Sequence, residues 1–129
     1  PPERRTSCYR PVDWACAPVS LKSEFWVQAF IRQANINGMF CGLLKRGAPE
    51  AGAIFVIINR LDGSFRLLGP APGPAYGENG ERRFIDEVPQ GASFDDCRAL
   101  LERRQKFDPD LWIIEAEDRN GNAGLTVAS

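Results

Sequence analysis

Two short runs constrain this chain more than anything else in it: IFVIIN at 54–59 and LWII at 111–114. Successive side chains of a strand point to opposite faces of a sheet, so a run that is apolar at every position needs cover on both sides. AIFVIINR therefore predicts a central strand. The first half of LWIIEAE places a second strand in the interior of the same sheet, with Trp112, Ile114 and Ala116 on one face and Leu111, Ile113, Glu115 and Glu117 on the other. At 129 residues the chain is one domain by length, and such a domain hides roughly two-thirds of the surface its unfolded chain exposes.

The cover is written in two helical patterns. In LKSEFWVQAFIRQANINGMF (21–40), Trp26, Phe30 and Gln33 follow helical spacing and Val27, Ile31 and Ala34 widen the apolar side. Ser20 or Ser23 suits the N-cap, and Gly38 suits the left-handed residue that ends the helix. SFDDCRALLERRQKF (93–107) is clearer still. Ser93 and Asp96 form a capping pair, acids sit at the positive end and Arg103, Arg104 and Lys106 at the negative end, and Phe94, Cys97, Leu100 and Leu101 form a buried stripe.

Between the helices the period drops toward two. FCGLLKR is a strand, GAPEAG a turn, AIFVIINR the central strand, SFRLL its return and ERRFIDEV a fourth. In LDGS, Asp62 and Gly63 read as a two-residue type I′ hairpin loop. That register sets Arg60 opposite Phe65, Ile58 opposite Leu67 and Asn59 opposite Arg66. GPAPGPAYGENG (69–80) is a long loop without an element of its own. The expected fold is α+β: one antiparallel sheet of about five strands with two helices packed on it, in the order α-β-β-β-β-α-β. Residues 1–20, with four prolines and no period, are expected to be an extended arm ahead of a single domain at 21–129.

The chemistry-bearing residues give no catalytic constellation. There is no histidine. Cys8, Cys16, Cys41 and Cys97 form no C-x-x-C pair, so a zinc site is disfavoured and Cys41 and Cys97 read as buried free thiols. Asp108, Asp110, Glu115, Glu117 and Asp118 crowd KFDPDLWIIEAEDRNG, but the aspartates flank turns and the glutamates fall on the wet end of a strand. The glycines of the 69–80 loop lack a following Lys-Ser or Lys-Thr, and no cofactor is implied. A net charge of −1 argues against a broad grip on nucleic acid. No apolar run approaches a bilayer span and no secretory signal is visible, so the expected location is cytoplasmic.

LKSEFWVQAFIR, RGAPEAGAIFVIINRLDG, RLLGPAP and FDPDLWIIEAEDR, in that order, resemble the small alphaproteobacterial domain of unknown function numbered 1491. The resemblance covers about residues 21–121 and leaves the arm outside. It implies a bacterial single-domain protein and brings no activity, cofactor or catalytic residue with it.

Three functions are weighed on the residues. The first is a non-enzymatic accessory module that binds a protein partner, for which Trp14, Tyr76, Arg82 and Arg83 are of the interface-anchoring types. The second is a site for a small anion, as an enzyme or a ligand-binding protein, held by Arg60, Arg66, Arg82 and Arg83 near the long loop. The third, nucleic-acid binding by the same arginines with stacking on Tyr76, is the weakest on charge grounds.

Overall fold

The computed structural model describes residues 22–72 and 82–128. The elements run α1 (Ser23–Ile36), β1 (Cys41–Lys45), β2 (Ile54–Asn59), β3 (Phe65–Pro70), β4 (Arg83–Asp86), α2 (Phe94–Phe107), β5 (Trp112–Glu117) and β6 (Thr126–Val127). The α+β class and both helices stand as expected, but the sheet differs. Among the described residues it has six strands in the order β1-β5-β2-β3-β4-β6, and it is mixed rather than antiparallel.

The difference comes from β2 and β5. They pair in parallel, from Ile54 opposite Trp112 to Asn59 opposite Glu117, while β1 with β5, β2 with β3 and β3 with β4 are antiparallel. Parallel neighbours need a long crossover, and here the chain supplies it through β3, β4 and α2. The second parallel pair, β4 with β6, involves only two residues of β6, too few to leave a periodic signal in the sequence.

The doubly apolar strands do what their sequence demands, because the helices lie on opposite faces. Val27 and Ala34 of α1 pack with Ile54, Val56, Ile58, Trp112 and Ile114. Cys97 and Leu101 of α2 pack with Phe55, Ile57, Leu67 and Ile113. Each fully buried aliphatic side chain contributes roughly 1.5–3 kcal/mol relative to exposure. Alternate residues of β2 and β5 thus feed two separate cores through one sheet.

Three local readings are corrected. The β2–β3 loop has three residues, Leu61–Gly63, closed by the Arg60 N–H donating to the Ser64 carbonyl at 3.1 Å. Asn59 Oδ1 accepts from the Leu61 N–H and Asp62 Oδ1 from the Ser64 N–H, which settles Leu61 at φ 64° and Gly63 at φ 92°. The register therefore slips by one, and Ile58 faces Arg66 while Ile57 faces Leu67. At α1, Lys22 is the N-cap and makes no side-chain cap bond; Ser23 is the first helical residue, and its buried hydroxyl donates to the Gly52 carbonyl at 2.7 Å. Ser20 lies outside the described residues. Phe94 is partly exposed at the entry of α2, where its ring meets Phe65 edge-on at 5.4 Å, instead of joining the buried stripe.

Other readings hold. Ser93 and Asp96 form a capping box. Gly38, at φ 84°, ends α1 with the paired bonds Met39 N–H to Ala34 carbonyl and Gly38 N–H to Asn35 carbonyl. Cys41 and Cys97 are free and buried, and burial pushes each thiol up to about 11. At pH 8 only roughly one thiol in a thousand is then ionised. Iodoacetamide at that pH, followed by peptide mass spectrometry, is expected to spare both in native protein and label both in denaturant. Fast native labelling of either would contradict the packing described.

Candidate functional site

Of the residues singled out in the sequence, Trp14 and Tyr76 lie outside the described residues. The four arginines do not converge. Arg60 and Arg66 line one pocket, whereas Arg83 begins β4, three residues or roughly 10 Å of strand beyond Asp86 of that pocket. Arg82 stands over the Trp26 ring of α1 at 5.7 Å, and the Arg83 carbonyl accepts from the Ala71 N–H.

Arg66 is committed to structure. Its Nε and Nη2 donate to the two carboxylate oxygens of Asp86 at 2.5 and 2.9 Å, and its Nη1 donates to the Gly121 carbonyl at 2.8 Å. Those bonds from Arg66 hold the Asp86 carboxyl below the usual range, with a smaller contribution from the charge of Arg60, and they raise Arg66 itself. An anion approaching Arg66 would have to displace a bidentate carboxylate already there. Of the four arginines, Arg60 is the one that lines this pocket without an ion pair among the described residues.

The acid cluster of 108–118 resolves into turns and a strand end. Asp108 Oδ1 accepts from the Asp110 N–H, and Asp118 accepts from the N–H groups of Asn120 and Ala123. Glu115 and Glu117 lie on β5 beside β1 and β2. Among the described residues no group of three or more metal-ligating side chains exists, and no helix is long and apolar enough to cross a membrane.

The feature missed in the sequence is the β1 edge. Beyond β1 no further strand pairs among the described residues, although Asn35 Nδ2 of α1 donates to the Cys41 carbonyl at 3.3 Å, and large apolar groups are exposed on and beside it: Phe40 is 53% exposed, Leu43 42% and Leu44 54%, with Ile36 at the end of α1 68%. Two local causes produce this. The pairing shifts between Leu43 and Lys45, so Leu44 is an extra residue in a bulge. Lys45, the charge that would ordinarily guard an edge, instead turns back and donates to the carbonyls of Pro109 and Leu111 at 2.7 and 3.0 Å. The opposite edge is blunted differently, by the two-residue length of β6. The only hint available beforehand was the Leu43–Leu44 pair, which puts apolar groups on both sides of a strand whose position in the sheet was unknown.

A family model described as a protein of unknown function (DUF1491) matches residues 21–126. Among solved structures, a protein of A. tumefaciens determined in solution is 39% identical with a TM-score of 0.73, covering 86% of this chain and 97% of that one. A crystal structure of a DUF1491 family protein from Caulobacter crescentus is 32% identical with a TM-score of 0.70, covering 86% of this chain and all of that one. An NMR structure of a Caulobacter crescentus DUF1491 family protein is similar at 33% identity and a TM-score of 0.68, covering 86% and 99%. No curated protein matches.

Proposed function

The chain belongs to the DUF1491 family, and on that premise and the geometry we propose that it is a non-enzymatic protein-binding module. Its partner adds an extended apolar segment along β1. The observation that supports this reading is the β1 edge: among the described residues no strand pairs with its outer side, where only the Cys41 carbonyl is met, by Asn35, and Phe40, Leu43 and Leu44 are exposed. Strand addition supplies main-chain hydrogen bonds for affinity, while side chains on alternate positions of the added strand supply choice of partner. An exposed apolar edge is also an aggregation hazard that proteins normally suppress. Its retention here is accounted for by a partner that covers it, in a cytoplasmic setting.

The test is co-purification from the native cells with cross-linking mass spectrometry, using the full chain, its Leu44→Lys variant and a chain lacking residues 1–20. Leu44 is exposed, so the lysine leaves the fold intact while placing a charge on the docking track. The expected result is a stoichiometric partner cross-linked near residues 36–46 and lost with Leu44→Lys. A partner retained by that variant and lost on removing residues 1–20 would move the contact to the arm. If every form is recovered alone, the module reading is wrong.

A further inference from the structure

A second site, sharing no residue with the β1 edge, lies past the carboxyl end of β2. There the sheet forms a pocket of about 380 Å³ lined by Arg60, Phe65, Arg66, Asp86 and the segment Val88–Gly91. That segment is an arch pinned to β3 at both feet, by the Glu87 N–H donating to the Leu67 carbonyl and the Phe65 N–H donating to the Ala92 carbonyl, each at 2.8 Å. The pocket is thus preformed, as small-ligand sites usually are, and its volume falls within their usual range. Arg60, the residue after β2, brings it to the carboxyl end of that strand.

The polar floor of this pocket is unbalanced. Arg66 and Asp86 neutralise one another through two bonds. Arg60 has no such partner. Its Nε is sealed from solvent without an acceptor, its guanidinium lies against Gly121, where an added Cβ would sit 3.0 Å from Cζ, and no ion pair joins it among the described residues. Its charge reaches Asp86 and Asp62 only through space. Asp62 does not line the pocket, and it already accepts from the Ser64 hydroxyl at 2.6 Å. With the Nε edge packed against Gly121, the Nη end of the guanidinium remains uncompensated, and a carboxylate matches it in charge and hydrogen bonding.

We infer that this pocket binds a small monocarboxylate with an apolar body, its carboxylate on the Nη end of Arg60 and its body against Phe65, Val88 and Pro89. Phe65, Val88 and Pro89 give such a body an apolar side to rest on, and the single free charge argues for a monoanion. A phosphate dianion would bring a second negative charge up to Asp86 with nothing left to meet it.

Titration of the full chain with sodium benzoate, followed by amide NMR shifts, tests the assignment. Benzyl alcohol and inorganic phosphate serve as separate probes. Benzoate is expected to give saturable shifts at the amides of Arg60, Phe65 and Gly91, and benzyl alcohol none. Loss of a charge-assisted bond should weaken benzoate by roughly tenfold or more in Arg60→Gln. Arg60→Lys keeps the charge without the guanidinium and should fall between, which preserves the test if the glutamine variant misfolds. Gln90→Glu, an exposed change on the rim, should weaken benzoate several-fold by repulsion. Absence of saturable shifts at those amides, unchanged binding in Arg60→Gln, or tighter binding of phosphate than of benzoate would each overturn the inference.

Discussion

Trp112→Ala is expected to remove about 3–5 kcal/mol of stability, a large part of the roughly 5–15 kcal/mol that holds a domain together. Trp112 is 1% exposed at the start of β5 and belongs to the core that β2 and β5 share under α1. Its removal leaves a cavity that rigid strand neighbours on both sides keep from collapsing. It also removes the donor of the Nε1–H bond to the Ala48 carbonyl at 2.8 Å, which ties β5 to the segment leading into β2. Above the ring lies the Arg46 guanidinium, 5.5 Å from its centre, so an opened site would also lose its charged lid. Trp112→Phe separates these contributions, because it keeps most of the apolar volume and gives up the hydrogen bond, for a smaller loss of about 1–3 kcal/mol. Urea unfolding of the three proteins measures both. A loss near 1 kcal/mol for the alanine variant would contradict the close packing of Trp112 in the core that β2 and β5 share.

Gly52→Ala is expected to cost about 1–3 kcal/mol or more, by crowding rather than by backbone conformation. A Cβ on Gly52 would stand 2.2 Å from the Asp110 carbonyl oxygen and 2.9 Å from the Trp112 ring. Neither obstacle yields easily. The Asp110 carbonyl accepts from the Ala48 N–H, and the Gly52 carbonyl holds the buried Ser23 hydroxyl, so relief at one point strains another. Gly38→Ala provides the contrast. Its Cβ would meet nothing, and the only cost is the positive φ of 84°, on the order of 1 kcal/mol. Thermal unfolding should therefore rank Gly52→Ala well below Gly38→Ala, and the reverse order would contradict the close approach of the 47–52 and 110–112 segments.

These residues also show how far the sequence could be read. IFVIIN and LWII state that two strands are covered on both faces, and the structure places them side by side with a helix on each face. Nothing in either run states that they are parallel. That direction follows from the crossover through β3, β4 and α2, a tertiary property that periodicity does not record. The hairpin register failed for a local reason. Aspartate-glycine is the usual signature of a two-residue loop, but the side chains of Asn59 and Asp62 each accept a backbone N–H and draw the loop out to three residues with Leu61 in the left-handed region.

The candidate sites divide in the same way. Arg60 and Arg66 were visible as cations near a hairpin, and the structure unites them in one pocket. Only the geometry of Asp86 shows that one of them is already neutralised. Arg82 and Arg83 were grouped with them because they are close in sequence to a long loop, yet β4 carries them away to the other end of the strand pair. The β1 edge was the least legible. FCGLLKR reads as a strand, but its place at the margin depends on β5, a segment some seventy residues later, pairing with its other side.

The claim that this edge is where the protein works is tested most directly by hydrogen exchange of the purified partner complex against the free chain. Protection concentrated on residues 40–46, with little change at 82–91, is the result predicted. Unchanged exchange across 40–46, with protection elsewhere on the chain, would contradict it.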